Sequence, residues 1–151
     1  MPLTKAGDYA TENMINRSVL ARLNLDAVVI NTARGEVLNE EDLLAMAQPL
    51  YWVIDVWQNE PHINFELMKQ ALIATPHIAG HTVLGKWRGT QIIYDACAEK
   101  FGWPDKKLPP LGHNKPHAQL FTVSEQYKSL LSVNPRAAEK IFYQLRNAYA
   151  G

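Results

Sequence analysis

Short apolar runs alternate with amphipathic stretches along most of this chain. Ala27-Val28-Val29-Ile30-Asn31 is a continuous, mainly β-branched run bounded by turn signals. Tyr51-Trp52-Val53-Ile54-Asp55-Val56 and Ala71-Leu72-Ile73-Ala74 are runs of the same kind. Such runs read as strands buried on both faces. Between them, apolar positions recur at helical spacing. Met14, Ile15, Val19, Leu20 and Leu23 predict a helix starting near Asn13, with Thr11 or Asn13 as its cap. Asn39-Glu40-Glu41-Asp42 opens a second helix through Leu43, Leu44, Met46 and Ala47. Its acidic residues suit the positive N-terminal end of a helix, and Pro49 stops it. Phe65, Leu67, Met68 and Leu72 mark a short third helix. A long fourth one runs from Val83 to Phe101, with Trp87, Ile92, Ile93, Ala96 and Cys97 on one side, and Gly102-Trp103-Pro104 ends it. Strands and helices in alternation predict an α/β fold with a parallel sheet and right-handed crossovers.

The pattern changes after residue 103. Residues 104–118, rich in Pro, Lys and His, read as a linker. Val123, Tyr127, Leu130 and Leu131, then Ala137, Ala138, Ile141, Phe142 and Leu145, mark two helices within 119–151. Pro135 suits the first position of the second helix. This helical appendage is expected to serve docking or dimerisation, and no chemistry is found in it. The organisation expected is therefore a sheet-bearing unit over 1–103, a linker over 104–118 and the appendage over 119–151.

Composition narrows the classes. The 151 residues leave room for one domain with a proper core. Hydrophobic residues at 47% and charged residues at 20% are ordinary for a globular chain. A formal net charge of zero gives no reason to expect nucleic acid or an anionic membrane as partner. The single cysteine, Cys97, excludes an internal disulfide and a thiolate metal cluster, and reads as a small buried hydrophobe. No apolar run approaches about 18 residues and no signal peptide opens the chain, so a cytoplasmic protein is expected.

Candidate chemistry gathers just beyond the three apolar runs. Arg34 follows the first, Glu60 the second and His77 the third. In a parallel sheet those ends share one edge, where open α/β sheets bind ligands. An Arg grips a carboxylate through two parallel hydrogen bonds. A His exchanges a proton near neutral pH, and a carboxylate beside it selects one tautomer. The set fits oxidation of a 2-hydroxy acid: Arg34 holds the substrate carboxylate and His77 takes the hydroxyl proton as hydride leaves C2. Plainer readings stand beside it. Arg34 suits an exposed position after a strand, Glu60 a solvated loop, Asp55 a turn cap, and His77 a structural role. A serine hydrolase is excluded because no G-x-S-x-G elbow exists. No metal site is expected, since His62, His77, His81, His113 and His117 lack ligand spacing.

Four segments carry a family resemblance. Pro2-Leu3-Thr4, Ile30-Asn31-Thr32-Ala33-Arg34-Gly35, Asp55-Val56-Trp57-Gln58-Asn59-Glu60-Pro61 and Thr75-Pro76-His77-Ile78-Ala79-Gly80 together resemble the NAD-dependent D-2-hydroxyacid dehydrogenases. The stretch from Gly80 to Thr90 resembles the branch that acts on 4-phospho-D-erythronate in pyridoxal phosphate (vitamin B6) biosynthesis. The resemblance spans roughly residues 1–103. It implies the C-terminal part of a Rossmann-like, doubly wound parallel sheet. It further implies Arg34 and Glu60 as catalytic residues, His77 as proton donor, and NAD contacts at Thr4, Thr32, Ala33, Arg34, Asp55 and Gly80, with Asp55 beside the nicotinamide. Arg34 and His81 would contact a small phosphorylated hydroxy acid; His81 stands where this branch usually carries a Tyr. A homodimer is the family's usual assembly.

The family's G-x-G-x-x-G cradle for the pyrophosphate does not occur here. The chain is therefore expected to be an incomplete piece that does not bind NAD tightly alone and that leaves a sheet edge and apolar faces uncovered. Two alternatives are a dehydrogenase of another 2-hydroxy acid, such as glycerate, and a degenerate module that works by interaction only.

Overall fold

A computed structural model describes residues 2–104, 106–107 and 119–150. Most of the expected linker, with His113 and His117, lies outside the described residues. Three strands, β1 (Val28–Asn31), β2 (Tyr51–Ile54) and β3 (Ile73–Ala74), form a sheet in the order β1-β2-β3. Both pairings are parallel, with Val28 opposite Tyr51 and Val53 opposite Ile73. The helices are α1 (Arg17–Leu20), α2 (Glu40–Leu44), α3 (Phe65–Gln70), α4 (Val83–Phe101), α5 (Gln119–Val133) and α6 (Ala138–Ala150). Single 3₁₀ turns cover Gly35–Val37 and Pro135–Ala137.

The local chemistry accounts for most of these boundaries. The Asn39 side chain accepts the Asp42 N–H at 2.9 Å and opens α2. Asn64 caps α3 in the same way through the Glu66 and Leu67 amides. Thr82 caps α4, and Gly102 ends it at a φ of 67°, in the left-handed region that glycine occupies readily. The helix predicted from Asn13 is corrected to one short turn. Asn16, not Thr11 or Asn13, caps α1, and Ile15 instead forms a parallel bridge with Leu38.

One face of the sheet is buried. Trp52, Ile54 and Ala74 point into a core with Leu20, Leu43, Leu67 and Met68. The opposite face is open: Val28 is 51% and Ile30 66% exposed. Burial of β1 on both faces is thus corrected. Side chains alternate across a strand, and the described helices cover only one side of this one.

The C-terminal helices are part of that same core. Tyr127, Leu131, Ala138, Ile141 and Phe142 are buried in it. Leu131, Ile141 and Phe142 each contribute on the order of 2 kcal/mol by leaving water. β3 would otherwise present an unmet backbone donor, but the Ala74 N–H donates to Ser124 Oγ at 3.0 Å. Lys128 Nζ donates to the Ala71 carbonyl at 2.7 Å, so α5 fastens the edge of the sheet beside β3.

α4 behaves differently, since none of its residues is buried. Ile92 and Ile93 stand exposed, and Cys97 is half-buried where a buried small hydrophobe was expected. Among the described residues no helix is long and apolar enough to cross a membrane.

Candidate active site

The carboxyl ends of the three strands lie along one edge, and each runs into a loop held by its own polar residue. At the end of β1, Asn31 is buried. Its Oδ1 accepts the Ala33 N–H at 3.1 Å, and its Nδ2 donates to the Arg34 carbonyl at 3.0 Å. This pins the backbone of Thr32-Ala33-Arg34, while the Arg34 side chain stays exposed with Nη1 donating to the Ala33 carbonyl at 2.7 Å. The rest of the guanidinium fork faces outward. Gly35 then packs on the next loop so closely that a Cβ there would lie 2.1 Å from the Trp57 carbonyl oxygen.

Beyond β2, the turn Trp57–Glu60 is closed by its own carboxylate: the Trp57 N–H donates to Glu60 Oε1 at 2.8 Å. The Trp57 ring is buried, and its Nε1 donates to the Thr75 carbonyl at 2.9 Å. Beyond β3, the ladder continues past the strand, with the His77 N–H donating to the Asp55 carbonyl at 2.7 Å. Asp55, only 2% exposed, organises the loop that follows. Its Oδ1 accepts from Thr75 Oγ1 at 2.6 Å and the Ile78 N–H at 2.7 Å, and its Oδ2 from the Ala79 N–H at 2.9 Å. That occupies three of the about four acceptor positions of a carboxylate.

The result is a contact the sequence anticipates. Glu60 Oε2 lies 2.9 Å from His77 Nδ1. A carboxylate can only accept, so it selects the tautomer with hydrogen on Nδ1 and leaves the Nε2 lone pair free to take a proton. The two side chains are 26% and 22% exposed, open enough for a ligand to reach. His77 has a φ of 52°, as Asn59 has one of 58°. A left-handed residue other than glycine costs on the order of 1 kcal/mol, and such strain concentrates at functional sites. Here the Asp55 bonds to the flanking amides hold it in place.

The other expected site residues are placed unevenly. Arg34 shares the edge with Glu60 and His77 but bonds to neither. Thr32 is exposed and Ala33 half-buried beside it. Gly80 adopts a φ of 76° with open space where a Cβ would project, so backbone is presented to the outside there. His81 follows, half-buried. Burial first, and then the positive charges of Lys86, Arg146 and His77, push it below the ordinary histidine range. Thr4 closes a loop of its own with Thr11, and no described hydrogen bond joins it to the other site residues.

Two residues at this edge escape a reading by motif alone, Asn31 and Glu40. Glu40, an acid at the positive end of a helix, is 3% exposed and its Oε1 accepts the Gln58 N–H at 2.7 Å. Burial pushes its carboxyl up to about 7 from an ordinary 4.5. The Gln58 bond opposes the rise, and the charges of Glu60 and Glu36 add to it. A signal was present: Glu40 lies three residues before the apolar Leu43 in α2, the spacing of a shared helix face.

Known proteins resemble this chain in sequence. Residues 1–79 match the family model described as D-isomer specific 2-hydroxyacid dehydrogenase, NAD binding domain. An erythronate-4-phosphate dehydrogenase of Marinobacter nauticus is 46% identical over 109 residues, covering 70% of this chain and 28% of the relative. One from Tolumonas auensis is 36% identical over 136 residues, 88% of this chain and 32% of the relative. One from Acinetobacter baumannii is 42% identical over 109 residues, 71% of this chain and 31% of the relative. The chain thus spans about three tenths of the length of these curated relatives. It belongs to the D-isomer specific 2-hydroxyacid dehydrogenase family, through that family's NAD-binding domain.

Proposed function

We propose that this chain supplies the catalytic residues for NAD-dependent oxidation of a 2-hydroxy acid, with 4-phospho-D-erythronate as substrate and 2-oxo-3-hydroxy-4-phosphobutanoate as product. The observation that carries the reading is the 2.9 Å contact between Glu60 Oε2 and His77 Nδ1, on the same sheet edge as the exposed Arg34 fork. The substrate is favoured by the names of the relatives, and with it a place in pyridoxal phosphate biosynthesis. A cytoplasmic location follows from the same kinship. A homodimer is supported by apolar side chains left open on the C-terminal helices, such as Phe121 and Val133 on α5 and Tyr143 on α6.

The residues at the edge fit the cofactor. Thr32 and Ala33 line the loop after β1, and Gly80 offers bare backbone across an open space. Asp55, its own oxygens largely taken, serves a nicotinamide by holding the His77 loop. NAD, when bound, supplies the acceptor for the C2 hydride. The chain's own groups do the rest. Arg34 binds the substrate carboxylate and leans on the C2 oxygen. His77 Nε2 takes the hydroxyl proton, and Glu60 steadies the imidazolium that forms. In the reverse direction His77 returns the proton.

The test is NADH formation by the full-length protein on a panel of 2-hydroxy acids that includes 4-phospho-D-erythronate and D-glycerate. Preference for the phosphorylated acid is expected. His77→Ala should lower kcat by about a hundredfold or more, and Arg34→Ala should raise KM as well. Activity untouched by His77→Ala overturns the mechanism, and preference for glycerate overturns the substrate.

A further inference from the structure

We propose that Glu40 is a positioning residue of this site: its carboxylate clasps the Glu60 turn onto the Arg34 loop and so keeps Glu60 against His77. The inference rests on the reading of Glu60 and His77 as a working pair.

Gln58 is the junction between the two loops. Its backbone N–H donates to Glu40 Oε1 at 2.7 Å, and its side-chain Nε2 donates to the Leu38 carbonyl at 3.0 Å. Both acceptors belong to the segment that follows Arg34 and Gly35. The backbone of Trp57 and Gln58 in turn lies flush against Gly35. Two residues further on, Glu60 closes the same turn through the Trp57 N–H and reaches His77 with its other oxygen. One short turn therefore carries both the clasp and the partner of the imidazole. Withdrawing the Glu40 acceptor leaves the half-buried Gln58 N–H without a bond, and the turn can slide from the Arg34 loop with Glu60 on it. Support of this kind decides whether a catalytic group is held within the fraction of an ångström that its chemistry needs. A carboxylate that only filled space at the start of α2 would sit in solvent; Glu40 is 3% exposed and bonds across to another loop.

The experiment reads the neutral His77 imidazole by its ¹⁵N shifts in the full chain, without cofactor or turnover. Glu40→Met keeps the volume and removes the acceptor; Glu40→Gln keeps an acceptor; Glu40→Asp withdraws the acceptor and keeps the charge. Glu60→Ala calibrates loss of the pair. In the native chain the Nδ1–H tautomer is expected. Glu40→Met, or Glu40→Asp if the former does not fold, should lose most of it, while Glu40→Gln restores it. Exchange of the Gln58 amide should speed by about tenfold in parallel. A native tautomer in Glu40→Met or Glu40→Asp, with Glu60→Ala altered, overturns the clasp alone. An unaltered tautomer in Glu60→Ala overturns the pairing itself, and the clasp with it.

Discussion

A buried carboxyl that titrates near neutrality should make the stability of this fold depend on pH in an uncommon direction. Glu40 has its folded value raised from 4.5 to about 7, chiefly by burial, with Glu60 and Glu36 adding to the rise. Below pH 4.5 both folded and unfolded chains carry it neutral, and it costs nothing. Between 4.5 and about 7 the unfolded chain releases the proton while the folded chain keeps it, so stability falls as pH rises. Above about 7 the full cost is present. At about 1.4 kcal/mol per tenfold the ceiling is about 3 kcal/mol. Glu40→Gln keeps an acceptor for the Gln58 N–H and cannot ionise. Urea unfolding of both chains at about pH 5 and about pH 8 isolates this one group, because every other titration is common to the pair. The variant should exceed the native chain by only about 1 kcal/mol at the lower pH and by up to about 3 kcal/mol at the higher one. Two curves running parallel across the range would refute the reasoning, and a variant weaker at the higher pH would show that the charged form is the stabilised one.

Gly35→Ala drives a Cβ to 2.1 Å from the Trp57 carbonyl oxygen, so the Arg34 and Glu60 loops must part. A loss of about 3 kcal/mol or more, with activity falling too, is expected from thermal unfolding and turnover measured together. Tyr127 is fully buried in α5 and its hydroxyl has no hydrogen-bond partner among the described residues, so Tyr127→Phe should leave stability unchanged or raise it by up to about 1 kcal/mol; a clear loss in urea unfolding would mean the hydroxyl is satisfied. Val28 and Ile30 form an exposed apolar stripe on β1, which among the described residues has no strand on its other side. The chain alone should self-associate in sedimentation, and Ile30→Lys should reduce that association; a clean native monomer at high concentration would count against it.

Much of the site was legible because its logic is local and topological. A β-branched run declares a strand, alternation with helices declares parallel connectivity, and parallel strands must end on one edge. Glu60 and His77 meet for that reason, and α4 spans Val83 to Phe101 as read because Thr82 and Gly102 mark its ends in the sequence itself. The short turn at α1 was misread because Ile15 has two uses for its backbone, and pairing with the strand-like segment at Leu38 is a contact that periodicity does not see.

The sequence alone thus determined the class of fold, the order of its main elements and the candidate acid–base residues gathered at one edge. What each element leans on was decided in three dimensions. β1 is open on one face while the less apolar α5 and α6 are drawn into the core. Glu40 reads as a helix-end acid and Asp55 as a turn cap until the loops close over them, when one becomes a clasp and the other an anchor for a strained histidine. The physical reason is common to all of these. Propensity and period act within a few residues of chain, whereas burial and the partners of a buried charge depend on surfaces brought together from distant parts of it.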